Sequence, residues 1–218
     1  HPDPAATIGG VAQVQRAANK AGHAGSRRAG LKRGSGSGKA ARGRRTVAAM
    51  RRTPGQRRVT VMARIARHKG AQYRAAPLAK HIKYLERDGV SRDGRDASMF
   101  DAQTDRADRD AFAGRCEDDR HHFRFIVSPE DAGDMEDLRS FTRELMADAA
   151  KDLGTELDWV AVDHWNTDNP HIHVLVRGVA SDGTDLVIDR GYISEGLSFR
   201  AEERVTLELG PRNELDIR

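Results

Sequence analysis

The sequence predicts an α+β domain of two layers, a mainly antiparallel central sheet with helices packed on one face. Segments 58–67, 122–128 and 171–177 alternate apolar and polar residues as half-buried strands do. Two longer segments carry apolar residues at helical spacing, and the turn-forming run 166–170 joins two strand-like segments closely enough for a hairpin.

In chain order, segment 58–67 puts Val59, Val61, Ala63 and Ile65 on one face and is expected to be the first core strand, with Arg64 and Arg67 near its end. A basic loop at 68–74 carries Lys69, Tyr73 and Arg74. Pro77 suits the first turn of a helix that ends at Asp88-Gly89, with Leu78, Ile82 and Leu85 as its apolar stripe. Tyr84 sits beside that stripe, one turn from His81. Segment 91–120 is polar, a loop with a short helix at about 108–116. After the strand at 122–128, Ser128 and Pro129 read as an N-cap and first helical residue. The helix they open carries Met135, Leu138, Phe141, Leu145 and Met146 and ends at Gly154. Segments 156–163 and 171–177 then form the hairpin, 185–188 a short strand, and 192–209 a last helix that stops at Gly210-Pro211.

The net charge of +4 hides two opposite parts: residues 1–58 carry about +13, and the remainder about −9. The first part has no aromatic residue and a Gly/Ser run at 34–38, so it is expected to be a flexible cationic arm suited to phosphate backbones. Residues 59–218 then form the catalytic domain, expected to be the amino-terminal part of a longer protein. No segment has the length and apolarity of a membrane span, and the single cysteine, Cys116, excludes an internal disulfide framework. These features fit a reducing, cytoplasmic setting.

The chemistry concentrates in His164-x6-His171-x-His173. On a strand, His171 and His173 share one face while Ile172, Val174 and Val176 share the other. Folding 156–163 back across the turn brings His164 beside them, giving three neutral nitrogen ligands and open coordination positions, a catalytic metal pattern. Such a site suits Mn²⁺, Co²⁺, Ni²⁺ or Zn²⁺, and Mg²⁺ once substrate oxygens join the shell. Asp163 and Asp168 flank the set, either to orient an imidazole or as ordinary turn residues. With a basic surface nearby, the pattern points to phosphoryl chemistry on a polynucleotide.

These residues resemble a known family. The histidine motif, with Asp168-Asn-Pro170 before the pair, is similar to the metal motif of the HUH endonuclease superfamily, in particular the plasmid-mobilisation relaxases, including those that nick Ti-plasmid borders. Residues 79–89, with Tyr84-Leu85 ahead of a basic residue and Gly89, resemble the helix that carries the nucleophilic tyrosine there. The strand ending at Ser128 is also similar. The resemblance implies that Tyr84 attacks a phosphate of single-stranded origin-of-transfer DNA, leaving a 5′-phosphotyrosine link and a free 3′-hydroxyl. It implies a divalent metal, Mn²⁺ or Mg²⁺ foremost, on His164, His171 and His173. Relaxosome accessory proteins and a secretion-system coupling protein are the implied partners. Arg64, Arg67, Lys69, Arg74, Lys83 and Arg124 are the expected DNA contacts.

Two departures stand out: the basic arm precedes the first strand, and Arg124 occupies a place where some relatives carry a histidine. His122 shares a face with Arg124 and is expected at the substrate side or the surface. Tyr73 and Tyr192 compete with Tyr84 as nucleophile. A rolling-circle replication initiator with the same chemistry, and a DNA-binding protein without activity, remain as alternatives. A nucleotide hydrolase with H-x-H-x-H is disfavoured by Leu175.

Overall fold

The computed structural model describes residues 36–68 and 75–213. The arm before residue 36, and the expected contacts Lys69, Tyr73 and Arg74, lie outside the described residues. In chain order the elements are α1 (Gly36–Ala49), β1 (Val59–Arg67), α2 (Ala75–Asp88), α3 (Arg109–Arg115), β2 (His121–Pro129), α4 (Leu138–Leu153), β3 (Trp159–His164), β4 (His171–Arg177) and α5 (Leu197–Leu209). The α+β class with an antiparallel sheet holds: four strands run in the order β1-β2-β4-β3, with every pairing antiparallel. Only β3 and β4 are joined by a tight turn, since α2 and α3 intervene between β1 and β2.

One face of the sheet carries Phe123, Phe125, Val127, Trp159, Ile172, Val174 and Val176, and it packs on α4 and α5 through Phe141, Leu145, Ala149, Ala201 and Val205. Burying a branched or aromatic side chain of this kind contributes about 1.5–3 kcal/mol, so this face fixes the register of the whole sheet. Helices are not confined to it. On the opposite face a smaller cluster joins Leu78, Ile82 and Leu85 of α2 and Phe112 of α3 to Val160, Val162 and Leu175. These helices cover the β3–β4 half; among the described residues none covers the β1–β2 half, where Met62 is 56% exposed.

Three expectations are corrected. Residues 36–58 are not a flexible arm: α1 buries Ala40, sets Gly43 against Tyr192 and Leu153, and packs Val47 and Met50 on the core. The small residues of α1 allow a close approach, and the cations of 36–58 meet the acidic domain through Lys39–Asp182 at 2.8 Å, Arg44–Asp189 at 3.0 Å and Arg52–Glu202 at 2.8 Å. Composition alone misses this because the charge partners are distant in sequence. Secondly, α4 does not start at Ser128. β2 runs through Pro129 opposite Val59, a short 3₁₀ turn follows at Ala132–Asp134, and the helix begins after Asp137, whose carboxylate accepts from the Arg139 amide. Gly154 ends it with a left-handed φ of 66°, as expected. Thirdly, β1 is an edge strand and not a core strand: Val59 is buried, but Ala63 is exposed and Ile65 is 44% exposed. The expected strand at 185–188 is reduced to one bridge, Val179 to Asp185. Among the described residues no helix is long and apolar enough to cross a membrane.

Candidate active site

Register dictates the site. His164 pairs directly with His171 across the β3–β4 hairpin, and Val162 pairs with His173, so all three histidines point to the face that α2 covers. Each offers one nitrogen, and these nitrogens lie within 4.8 Å of one another. The Nε2 atoms of His171 and His173 are 3.2 Å apart, close to the spacing that two adjacent ligands take at roughly 2.1 Å from one ion. β4 is an interior strand between β2 and β3, which holds the pair more rigidly than a loop would.

The tautomers are set by backbone carbonyls, which only accept. His171 Nδ1–H donates to the Asn169 carbonyl at 3.0 Å, freeing the Nε2 lone pair. His164 Nε2–H donates to the Leu85 carbonyl at 2.9 Å, freeing Nδ1. Burial, then the neighbouring histidines, pushes the His173 pKa down to about 3, and burial also lowers that of His164. Neutral rings at ordinary pH are what metal binding requires. Neither Asp163 nor Asp168 is hydrogen-bonded to a histidine of the cluster, although the charge of Asp163 acts on His164. Asp163 lies on the opposite face, where it accepts from Arg139 Nε at 3.0 Å and from Trp165 Nε1 at 2.9 Å. Asp168 is exposed in the turn.

The hairpin also caps the end of α2, whose last carbonyls have no partner within the helix. His164 adds a second donor to the Leu85 carbonyl, which already accepts the Gly89 amide at 3.1 Å; Asn166 Nδ2 donates to the Asp88 carbonyl at 2.9 Å, and the Trp165 amide donates to the Val90 carbonyl at 2.8 Å just beyond. The helix bearing Tyr84 is thereby fixed to the histidine cluster. Gly89 explains why it can come so close: a Cβ there would stand 2.5 Å from His164 Cδ2 and 2.6 Å from Nε2. Its backbone is not left-handed, so space and not φ demands glycine. Gly89→Ala is expected to displace the His164 ring and weaken Mn²⁺ binding by about tenfold or more, read by titration calorimetry.

Tyr84 is 54% exposed, with the Arg87 guanidinium 5.4 Å from its ring centroid. Asp88 beside it raises the phenol pKa, while Asp88 in turn is held below its ordinary range by Tyr84 and by Arg87. Asp88 is near enough to His164 for their charges to interact. Tyr192 is unsuited to attack: it is fully buried, donates to Asp152 at 2.8 Å, and burial raises its pKa strongly.

Beside the cluster lies a groove of about 400 Å³ lined by Met62, Arg64, His81, Arg124, Ile126 and His173 among others. Of the expected DNA contacts, Arg64 and Arg124 are there. Arg67 alternates onto the opposite face of β1, and Lys83 is exposed about 200° around α2 from His81, so neither lines it. His122 is not a surface residue but 2% exposed, a position that its polar sequence neighbours conceal.

Burial and then the charge of Arg124 depress the His122 pKa from 6.5 to about 3. Above the unfolded value both states are neutral; below it the unfolded chain takes a proton that the folded chain excludes. Stability therefore falls as pH drops from about 6.5 towards about 3. Urea unfolding in EDTA is expected to show wild type losing about 2 kcal/mol more than His122→Gln between about pH 7 and about pH 5.

A cluster of three imidazoles, an exposed phenol on the helix whose end is bonded to it and a cationic groove fit a phosphodiester-cutting site that takes a divalent ion. The chain belongs to the relaxase family: the family described as Relaxase, MobA/VirD2-like, nuclease domain, matches residues 79–206, more than half of the 218 residues. It is thus a DNA-nicking relaxase domain, an endonuclease with DNA as substrate. A search of curated proteins finds no match.

Proposed function

We propose that this domain nicks one strand at an origin of transfer by tyrosine transesterification and rejoins it by the reverse reaction. The observation that carries this reading is the bonding of the last turn of α2, the helix that bears an exposed phenol, to the hairpin of the histidine cluster, one member of which, His173, lines a cationic groove. Tyr84 Oη forms a bond to phosphorus as the bond to the 3′-oxygen breaks; the phenolic proton leaves and the 3′-oxygen ends as a hydroxyl. One phosphodiester is exchanged for another of similar energy, so resealing needs no ATP. Asp88 disfavours the Tyr84 phenolate, an effect that a bound cation would offset. Arg64 and Arg124 hold flanking phosphates, and Met62 and Ile126, paired across β1 and β2, offer bases an apolar floor.

His164, His171 and His173 would hold the ion, with Mn²⁺ or Mg²⁺ the physiological choice. When bound, it polarises the scissile phosphate and favours the phenolate. In this reading the origin is taken as single-stranded DNA opened by relaxosome accessory proteins. Handover to a secretion-system coupling protein in the bacterial cytoplasm belongs to the same reading. The test is incubation with labelled single strands from the transfer origin and Mn²⁺ or Mg²⁺. A detergent-stable protein–DNA band and a polymerase-extendable 3′-end are expected; no band with either ion overturns the reading.

A further inference from the structure

Behind the groove wall the hydrogen bonds run in one direction. Arg124 Nε–H donates to His122 Nε2 at 2.9 Å, since a guanidinium only donates. His122 therefore carries its proton on Nδ1, which donates to His68 Nε2 at 2.8 Å. His68 then carries its own on Nδ1 and donates to the Asp119 carbonyl, which only accepts. Both ends admit one tautomer only, so the two rings must be neutral and singly protonated. An added proton on either ring would turn a donor towards Arg124 or towards the other ring. The far end is anchored, because the Asp119 carboxylate takes Arg177 at 2.7 and 3.1 Å.

A second observation says what the relay is for. Arg64 and Arg124 are directly opposed across β1 and β2 on the same face. Like charges directly opposed repel, so an anion bound between them is favoured. Both line the groove beside His173.

We infer that the His68–His122 pair is a positioning device for Arg124, fixing its guanidinium opposite Arg64 so that the two clamp a DNA phosphate next to the histidine cluster. This rests on the reading of the groove as a single-strand channel. His122 and His68 touch no DNA; they act through Arg124. Holding the guanidinium in advance spares the entropy of ordering it when the phosphate arrives. Burial keeps His122 neutral, as the relay requires.

The test uses a fluorescein-labelled single-stranded oligonucleotide in EDTA, so that the metal cluster plays no part, with affinity read by anisotropy. Arg124→Gln is expected to weaken binding about tenfold, as loss of one charge-assisted phosphate contact does. His122→Leu should weaken it by a similar factor, and the double variant should lose no more than either alone. His122→Gln, which keeps an acceptor near Nε2, should recover most of the affinity. If the His122→Leu and Arg124→Gln losses multiply in the double variant, or if His122→Leu binds like wild type, the inference is overturned. If Arg124→Gln has no effect, the groove reading itself fails, which separates the two outcomes. Melting curves on His122→Gln show whether fold is preserved where the Leu variant does not fold.

Discussion

Replacing Tyr84 with phenylalanine is expected to abolish the covalent protein–DNA adduct, a loss of about 10⁴-fold or more in strand cleavage, while leaving single-strand binding within about twofold. The substitution removes one oxygen from a ring that is 54% exposed and leaves Leu78, Ile82 and Leu85, which anchor α2, untouched. Stability should change by no more than about 0.5 kcal/mol, as for surface substitutions generally. The cationic wall of the groove lies on β1 and β2, so binding has no reason to follow activity. Compensation by Tyr192 is closed off, because its hydroxyl is buried on Asp152 at the other face of the sheet. An adduct that persists in Tyr84→Phe would move the nucleophile to Tyr73. Peptide mapping of the labelled protein distinguishes these outcomes directly.

How far the sequence could be read depended on whether a feature was local. The alternation around His171 and His173 is a property of consecutive residues, and the turn formers at 166–170 predict the hairpin that adds His164; the three rings do converge. The helix of Tyr84 was legible from its stripe and its Asp88-Gly89 ending for the same reason. What the sequence concealed are relations between distant segments. Nothing around Gly89 announces that His164 will lie against it, and nothing in 36–58 says that its arginines answer carboxylates more than a hundred residues later. The partners that orient the histidines escaped for a further reason. They are main-chain carbonyls, Asn169 and Leu85, which every residue possesses, so the aspartates Asp163 and Asp168 drew attention instead. β1 misled because its alternation is genuine while, among the described residues, no layer covers its outer half.

His173→Ala should remove both the divalent ion and the cleavage activity. His173 sits between Val162 and Ile126 on the interior strand, and its ring stands 4.7 Å from that of His164 and 5.0 Å from that of His171, centroid to centroid. Losing it leaves two nitrogens, and Mn²⁺ affinity is expected to fall by about 100-fold or more. Thermal denaturation provides a readout separate from activity. At an ion concentration about 100 times its dissociation constant the wild type gains about 2.7 kcal/mol, and the variant gains almost nothing at the same concentration. An equal Mn²⁺ shift in both proteins would place the ion elsewhere. The donor set leads to a second expectation within the same experiment. Three neutral imidazoles leave the charge of a divalent ion uncompensated, and a phosphate arriving in the neighbouring groove supplies the negative charge that is missing. Ion and single-stranded DNA should therefore bind cooperatively: Mn²⁺ tightens DNA binding by the factor by which DNA tightens Mn²⁺ binding. In His173→Ala that factor should fall to about one, while the DNA affinity measured in EDTA is retained, because Arg64 and Arg124 are still in place.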